Sequence, residues 1–134
     1  MTIPVNQPEI YTQNRIIKFF KNKLGYEYLG NWEDREGNSN IEEEYLKKFL
    51  LAQGYNHKVI KKGIEKLNKA AENQQKSLYD RNKEIYEMLR YGVDVKLSAS
   101  APSVHVNFVN WDNPQKNHFA FAEEVTITGK HTKR

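Results

Sequence analysis

The pattern of apolar and polar residues predicts four helices before Gly92. Apolar residues in this part of the chain recur every three or four positions, which places them on one face of a helix. Glycines and capping residues separate the segments, as they commonly do at helix ends. The predicted helices cover about residues 9–24, 39–53, 56–71 and 77–91.

Shorter segments in which apolar and polar residues alternate predict strands. Residues 26–32, YEYLGNW, form the first such segment. Three more, VDVKL, VHVNFVN and FAFAEEVTIT, follow Gly92 and are separated by the breakers SASAPS and DNPQKN. The sequence therefore predicts an α/β domain over 1–134, with a helical part over about 9–91 and a small three-stranded sheet over about 93–128.

The second predicted helix has an acidic beginning. Ser39 or Asn40 can cap it, and the glutamates at 42–44 follow where the helix dipole favours negative charge. Glu42 also lies at helical spacing with Leu46, at the border of the buried face, where a carboxylate can turn toward a functional site. A glutamate that only stabilises the first turn explains the same pattern.

Composition indicates one modest globular domain with a large polar surface. Of its 134 residues, 38% are hydrophobic and 28% are charged. The absence of cysteine suits a reducing cytoplasm, and no segment approaches the roughly 20 apolar residues that cross a bilayer. We expect a cytoplasmic protein without a membrane partner.

Positive charge is concentrated on the third predicted helix. The net charge of the chain is +4, and the segment 58–69 alone holds five lysines against one glutamate. Such a face can contact DNA phosphates, although a solvated helix face is the simpler explanation. Trp32 and Trp111 could stack on unpaired bases, but packing in a core or interface is favoured. The candidate DNA-contacting residues are Lys58, Lys61, Lys62, Lys66 and Lys69.

Metal-dependent cleavage of DNA needs carboxylates that hold Mg²⁺, usually beside a lysine. Asp94 and Lys96 share a strand face, but an exposed alternating strand explains them more simply. One of Glu123 and Glu124 must point inward from an apolar strand, and we expect it to pair with a lysine or arginine. The sequence contains no Glu-x-Lys, no GxxxxGK[ST] loop and no histidine spacing typical of zinc sites.

Three long segments resemble, in order, the opening of one group of type I restriction enzyme R subunits. They are YEYLGNWEDREGNSNIEEE, LYDRNKEIYEMLRYGVDVK, and VNWDNPQKNHFAFAEEVTITG followed by KR. The resemblance covers nearly all of residues 14–134. The chain departs from the group in two places, since SASAPS replaces a more glycine-rich connection and His118 stands where an acidic residue is common.

This resemblance implies the first part of a PD-(D/E)xK nuclease domain, with a restriction-endonuclease-like sheet that stops before its catalytic strands. The parent would carry ATP-driven motor domains, cleave DNA with Mg²⁺, and assemble with modification and specificity subunits. Its catalytic Pro-Asp and Glu-x-Lys would follow Arg134, so we expect these 134 residues to be inactive alone. The helical glutamate of such nucleases matches Glu42, with Glu43 as the alternative.

Two other functions stay open. The chain could be a non-catalytic DNA-binding or subunit-assembly module that uses the basic helix 56–71. It could also be a small Mg²⁺ enzyme that uses Asp94 and Lys96. Because an incomplete sheet has an open edge, we further expect self-association through the strand near 119–128.

Overall fold

The computed structural model describes residues 8–127, which form two compact units. The described part of the first unit comprises residues 8–39 and 119–127, and the second unit comprises residues 40–118. In chain order, the second unit is inserted into the first. The basic tail 129–134 and the end of the predicted strand segment at 128 lie outside the described residues.

Four α-helices in the described part of the chain confirm the helical pattern of the sequence. The first continues directly into a π-helical segment, Phe19–Lys23, so that the helical path almost reaches Gly25. No helix in the described part of the chain combines the length and apolarity needed to cross a membrane. The α-helices are α1 (Pro8–Lys18), α2 (Glu43–Ala52), α3 (His57–Glu72) and α4 (Leu78–Tyr91).

Within residues 8–127, four short strands complete the mixed α/β fold, and they form two separate sheets of two strands each. The prediction that the last three strands make one sheet is therefore wrong. Alternation along a strand determines which side chains share a face, but it does not determine the pairing partner. The strands are β1 (Glu27–Asn31), β2 (Val93–Val95), β3 (Val104–Val106) and β4 (Ala120–Glu123).

In the first unit, β4 pairs in parallel with β1, and Tyr28 faces Phe121 across the pair. Aromatic rings bring these distant segments together: Tyr26 stacks on Phe119 with ring centroids 5.1 Å apart, and Phe20 meets Phe121 edge-on at 5.6 Å. Such pairs add to the free energy gained from area burial. Self-association through β4 stays a prediction.

The apolar face of α1 is less buried than an amphipathic helix normally requires. Ile10 and Ile16 are exposed, and Ile17 is only half-buried. The face instead forms one wall of an open apolar groove of about 640 Å³, whose other wall is β4. The helical spacing was predicted correctly, but the sequence did not show that this face lacks a cover among the described residues.

The second unit has its core between α3 and the antiparallel hairpin of β2 and β3. The apolar face of α3 lies against this hairpin, and Gly63 allows close approach, since an added Cβ would lie 3.6 Å from Val106. Helices α2 and α4 contact α3 from its sides. The buried residues of this core are Leu50, Val59, Ile60, Ile64, Leu67, Val93, Val95, Val106 and Phe108.

Helix α2 begins later than the sequence suggested. Its N-cap is Glu42 rather than Ser39 or Asn40, and the first intrahelical hydrogen bond joins Leu46 N–H to the Glu42 carbonyl at 3.0 Å. The preceding turn is fixed in another way, because the buried Asn38 donates from Nδ2 to the carbonyl of Thr126 at 3.0 Å. Ser39 and Asn40, the expected caps, therefore lie before the helix.

Candidate functional site

The five candidate lysines lie along the exposed face of α3, opposite the face that forms the core. Lys69 lies eleven positions after Lys58, which at the helical rise corresponds to about 16 Å. Duplex DNA carries one negative charge per roughly 1.7 Å of its axis, so a face of this length can lie against several phosphates. Glu65 interrupts the positive charge at the middle of the face.

The sequence of α3 explains why its lysines are presented together. Asn56 caps the helix, since its side chain accepts a hydrogen bond from Val59 N–H at 2.9 Å. The apolar residues at helical spacing are buried in the core, so the lysines on the opposite face are exposed to solvent. Lys66 differs from the others, because its ammonium group donates to the carbonyl oxygen of Asp94 and is thereby held beside β2.

Two clefts adjoin this lysine face, and Lys61 lines both. The first, of about 410 Å³, also involves Lys58, Lys62 and Leu97. The second, of about 460 Å³, brings Lys47, Lys48 and His57 to the same side of the unit.

The helical pattern of the sequence does not indicate that Lys47, Lys48 and His57 belong to this basic surface. On α2, Lys48 is exposed and Lys47 is half-buried. Only the short connection between α2 and α3 places them beside Lys61, so helical periodicity offered no signal for this proximity. Together with the α3 lysines, they enlarge the basic surface of the second unit.

Glu42 is half-buried and lines a cavity of about 630 Å³ within the second unit. Asn40, Arg81 and Asn82 are the other polar residues on its wall. Arg81 Nε is buried there and has no hydrogen-bond partner among the described residues. The apolar wall consists of Ile41, Leu46, Leu67, Ala71, Leu78, Ile85 and Leu89.

This cavity position agrees with the expectation that Glu42 borders the buried face, while its catalytic role stays a prediction. The alternative, Glu43, has a structural contact: its Oε1 accepts a hydrogen bond from Asn68 Nδ2 at 2.7 Å, which ties α2 to α3. Glu43 and Glu44 do lie in the first turn of α2, where the helix dipole stabilises negative charge.

Asp94 and Lys96 are both exposed, as an alternating strand face predicts. The carboxylate of Asp94 lies 2.8 Å from His105 Nδ1, and His105 Nε2 lies 2.9 Å from the carbonyl oxygen of Tyr91. The hydrogen bond with Asp94 is the main cause that raises the pKa of His105 above 6.5. Asp94 and His105 thus form an ion pair between β2 and β3.

Glu123 is the member of the acidic pair that is half-buried, whereas Glu124 is exposed. Its Oε1 accepts a hydrogen bond from Asn31 Nδ2 at 3.0 Å. Partial burial, together with the hydrogen bond to Glu123, raises the pKa of the Tyr28 hydroxyl above 10.0. Among the described residues, the neutral side chains of Asn31 and Tyr28 lie against this carboxylate, and the expected lysine or arginine partner is not seen in that part of the chain.

No three histidine or acidic side chains among residues 8–127 lie close enough to form a metal site.

Comparisons with known proteins agree with the resemblance seen in the sequence. No curated protein and no solved structure matches the chain. Residues 6–134 match the family described as the type I restriction enzyme R protein N terminus, which takes in nearly the whole chain. The chain therefore belongs to the family of type I restriction enzyme R protein N termini.

Proposed function

We propose that this chain is the front of the nuclease domain in the restriction subunit of a type I restriction-modification enzyme. In this proposal the complete subunit has a PD-(D/E)xK site, cleaves DNA with Mg²⁺ after ATP-dependent translocation, and has the cytoplasm as its compartment. Its partners are DNA and the modification and specificity subunits. Family membership over residues 6–134 is the observation that carries the proposal.

The contribution of the described residues is to hold DNA rather than to cut it. The exposed face of α3 offers cations along about 16 Å of helix. Lys47, Lys48 and His57 extend this surface beside Lys61. Contacts of this kind give affinity without sequence preference, which suits a subunit whose target is recognised elsewhere in the complex.

DNA contact is tested by measuring fluorescence anisotropy of a labelled duplex over a series of salt concentrations. We expect the double variant Lys58→Glu with Lys62→Glu to bind the duplex at least about ten-fold more weakly. The plot of the logarithm of the association constant against the logarithm of salt concentration should also become less steep, by about 2 units of slope. The matched control is Lys83→Glu with Lys116→Glu, which makes the same change of charge on exposed lysines of the same unit. Equal loss in both double variants would show that only net charge matters.

Catalysis is tested separately with supercoiled plasmid. We expect no Mg²⁺-dependent nicking by the 134-residue chain, and ATP-dependent cleavage by the complete restriction subunit together with its modification and specificity partners. Nicking by the short chain that is lost in Asp94→Asn would instead support a small enzyme built on Asp94 and Lys96. If the complete protein binds duplex DNA without cleaving it, the non-catalytic binding or assembly module is the function that agrees with the result.

A further inference from the structure

A second feature of the inserted unit involves exposed aromatic rings at the end of α4. Arg90 lies over two of them, with its Cζ atom 5.1 Å from the ring centroid of Trp111 and 5.5 Å from that of Tyr91. Trp111 is 52% exposed and Tyr91 is 65% exposed. The indole is nevertheless fixed in place, because its Nε1 donates to the carbonyl oxygen of Leu89 at 3.2 Å.

These rings border a polar cleft of about 390 Å³. On its wall, the Tyr55 hydroxyl accepts a hydrogen bond from Asn107 N–H at 3.0 Å, which leaves the hydroxyl proton to donate. Asn110 Nδ2 donates to Gln53 Oε1 at 3.0 Å, so the Gln53 side chain presents its amide N–H groups. The cleft therefore offers donors at fixed positions.

The loop that carries Trp111 is held by its own hydrogen bonds. Asn110 N–H donates to Asn117 Oδ1 at 2.8 Å, and Asn117 Nδ2 donates back to the Asn110 carbonyl at 2.9 Å. These reciprocal bonds close the loop over residues 110–117. The cleft is thus formed before any ligand binds, which lowers the entropic cost of binding.

The chemistry of this cleft matches one class of ligand. An unpaired nucleotide needs a flat ring surface for its base, hydrogen-bonding groups for the base edge and a cation for its phosphate. The parts of the Trp111 and Tyr91 rings that Arg90 leaves exposed supply the first. Gln53 and Tyr55 supply donors, and Arg90 supplies the cation. Asp112, also on the wall, can accept from base N–H groups. Base pairs inside a duplex are stacked on both faces and cannot present those faces to these rings.

We propose that this cleft binds one unpaired nucleotide of single-stranded DNA, with the base against Trp111 and Tyr91 and the phosphate beside Arg90. The choice of DNA as the polymer rests on the proposed function. The site itself is separate from the lysine face of α3, because none of its lining residues belongs to that helix.

Two tyrosines of α4 provide a matched test. Tyr91 borders the cleft, whereas Tyr79, which is 74% exposed, does not. Binding of a labelled oligothymidine of about 15 nucleotides is measured by anisotropy, with a blunt duplex of the same length as competitor. We expect Tyr91→Ala to weaken oligothymidine binding at least about ten-fold and Tyr79→Ala to leave it unchanged.

A second readout uses the indole directly. Oligothymidine should quench tryptophan fluorescence in the unaltered protein, and this quenching should be lost in Trp111→Leu, whose circular dichroism checks that the unit is folded. Equal oligothymidine affinity in Tyr91→Ala and Tyr79→Ala, or quenching that persists in Trp111→Leu, overturns the proposal.

Failure of the cleft and failure of the lysine surface give different results. If Tyr91→Ala lowers only oligothymidine affinity while Lys58→Glu with Lys62→Glu leaves duplex affinity unchanged, the cleft stands and DNA contact by α3 is wrong. If the lysine variants weaken duplex binding and Tyr91→Ala changes nothing, the lysine surface stands and the nucleotide cleft is wrong.

Discussion

His105 Nδ1 lies 2.8 Å from Asp94 Oδ1, and the two residues are direct partners across β2 and β3. The other ring nitrogen lies 2.9 Å from the carbonyl oxygen of Tyr91, which can only accept a hydrogen bond. A doubly protonated imidazole satisfies both partners. The hydrogen bond with Asp94, supported by the Tyr91 carbonyl, therefore raises the pKa of His105 above 6.5, although partial burial opposes the shift.

The first prediction follows from this pKa. Because the folded state holds the proton more tightly than the unfolded state, His105 stabilises the fold fully below pH 6.5, and its contribution is lost as pH rises through the raised pKa. His105→Gln should remove this pH-dependent part of the free energy of unfolding. The effect should stay below about 1 kcal/mol, since both side chains are at least half exposed.

Urea unfolding of the unaltered protein and of His105→Gln, at about pH 5.5 and pH 8.5, measures the difference. The other histidines are present in both proteins, so their contributions to the pH dependence cancel when the two unfolding free energies are subtracted. Asp94→Asn serves as the second variant, because it keeps the shape of the side chain and removes its charge. An unfolding free energy that varies with pH equally in all three proteins would contradict the prediction.

Gly92 provides the second prediction. It ends α4 with φ at 79°, and an added Cβ would lie 2.5 Å from the Val106 carbonyl oxygen and 2.7 Å from His105 Nε2. Gly92→Ala should therefore lower the free energy of unfolding by at least about 2 kcal/mol, since strained φ and a backbone collision act together. Denaturant unfolding measures the loss.

Gly54 is the matched control for this substitution. Its φ is 99°, but an added Cβ would meet nothing within 4 Å. Gly54→Ala should therefore show only the cost of the positive φ, about 1–2 kcal/mol. If the two alanine variants are equally destabilised, the close approach at Gly92 has no energetic effect.

The third prediction concerns Gly63, which lies in the interior of α3. An added Cβ would make ordinary contacts of 3.6 Å with Val106 and 3.7 Å with Phe108. Gly63→Ala should stabilise the protein by about 0.5–1 kcal/mol, because alanine favours the helix and restricts the unfolded chain. Gly63→Leu, in contrast, should destabilise it, since the larger side chain cannot fit against β3. Both are measured by urea unfolding.

The helices illustrate what the sequence could predict. Val59, Ile60, Ile64 and Leu67 lie at helical spacing, and all four are buried as expected. A helical pattern depends on residues that are close in sequence, so α3 and its buried face could be predicted from that segment alone.

The strands and clefts depend on partners distant in sequence. Nothing around Tyr28 indicates that its strand pairs with Phe121, since only the packed rings of the first unit select that partner. Likewise, Lys47 gives no sign in the sequence that it shares a cleft with Lys61. The candidate site was therefore predictable as a lysine face, but not as the full basic surface.

The last prediction concerns Arg81 of α4. Its Nε is buried in the wall of the cavity that Glu42 also lines, without a hydrogen-bond partner among the described residues. A buried donor that makes no hydrogen bond costs about 1–3 kcal/mol, so Arg81→Met, which keeps the apolar stem and removes this nitrogen, should raise the free energy of unfolding by about 1 kcal/mol.

Lys83→Met is its control, because Lys83 is an exposed cation on the same helix and buries no polar atom of this kind. It should change stability by less than about 0.5 kcal/mol, as surface substitutions usually do. Urea unfolding of both variants at one pH separates the buried nitrogen from the simple loss of a positive charge. Destabilisation by Arg81→Met would mean that the guanidinium is satisfied in solution, and a hydrogen-bond partner for Arg81 would then have to be sought around this cavity.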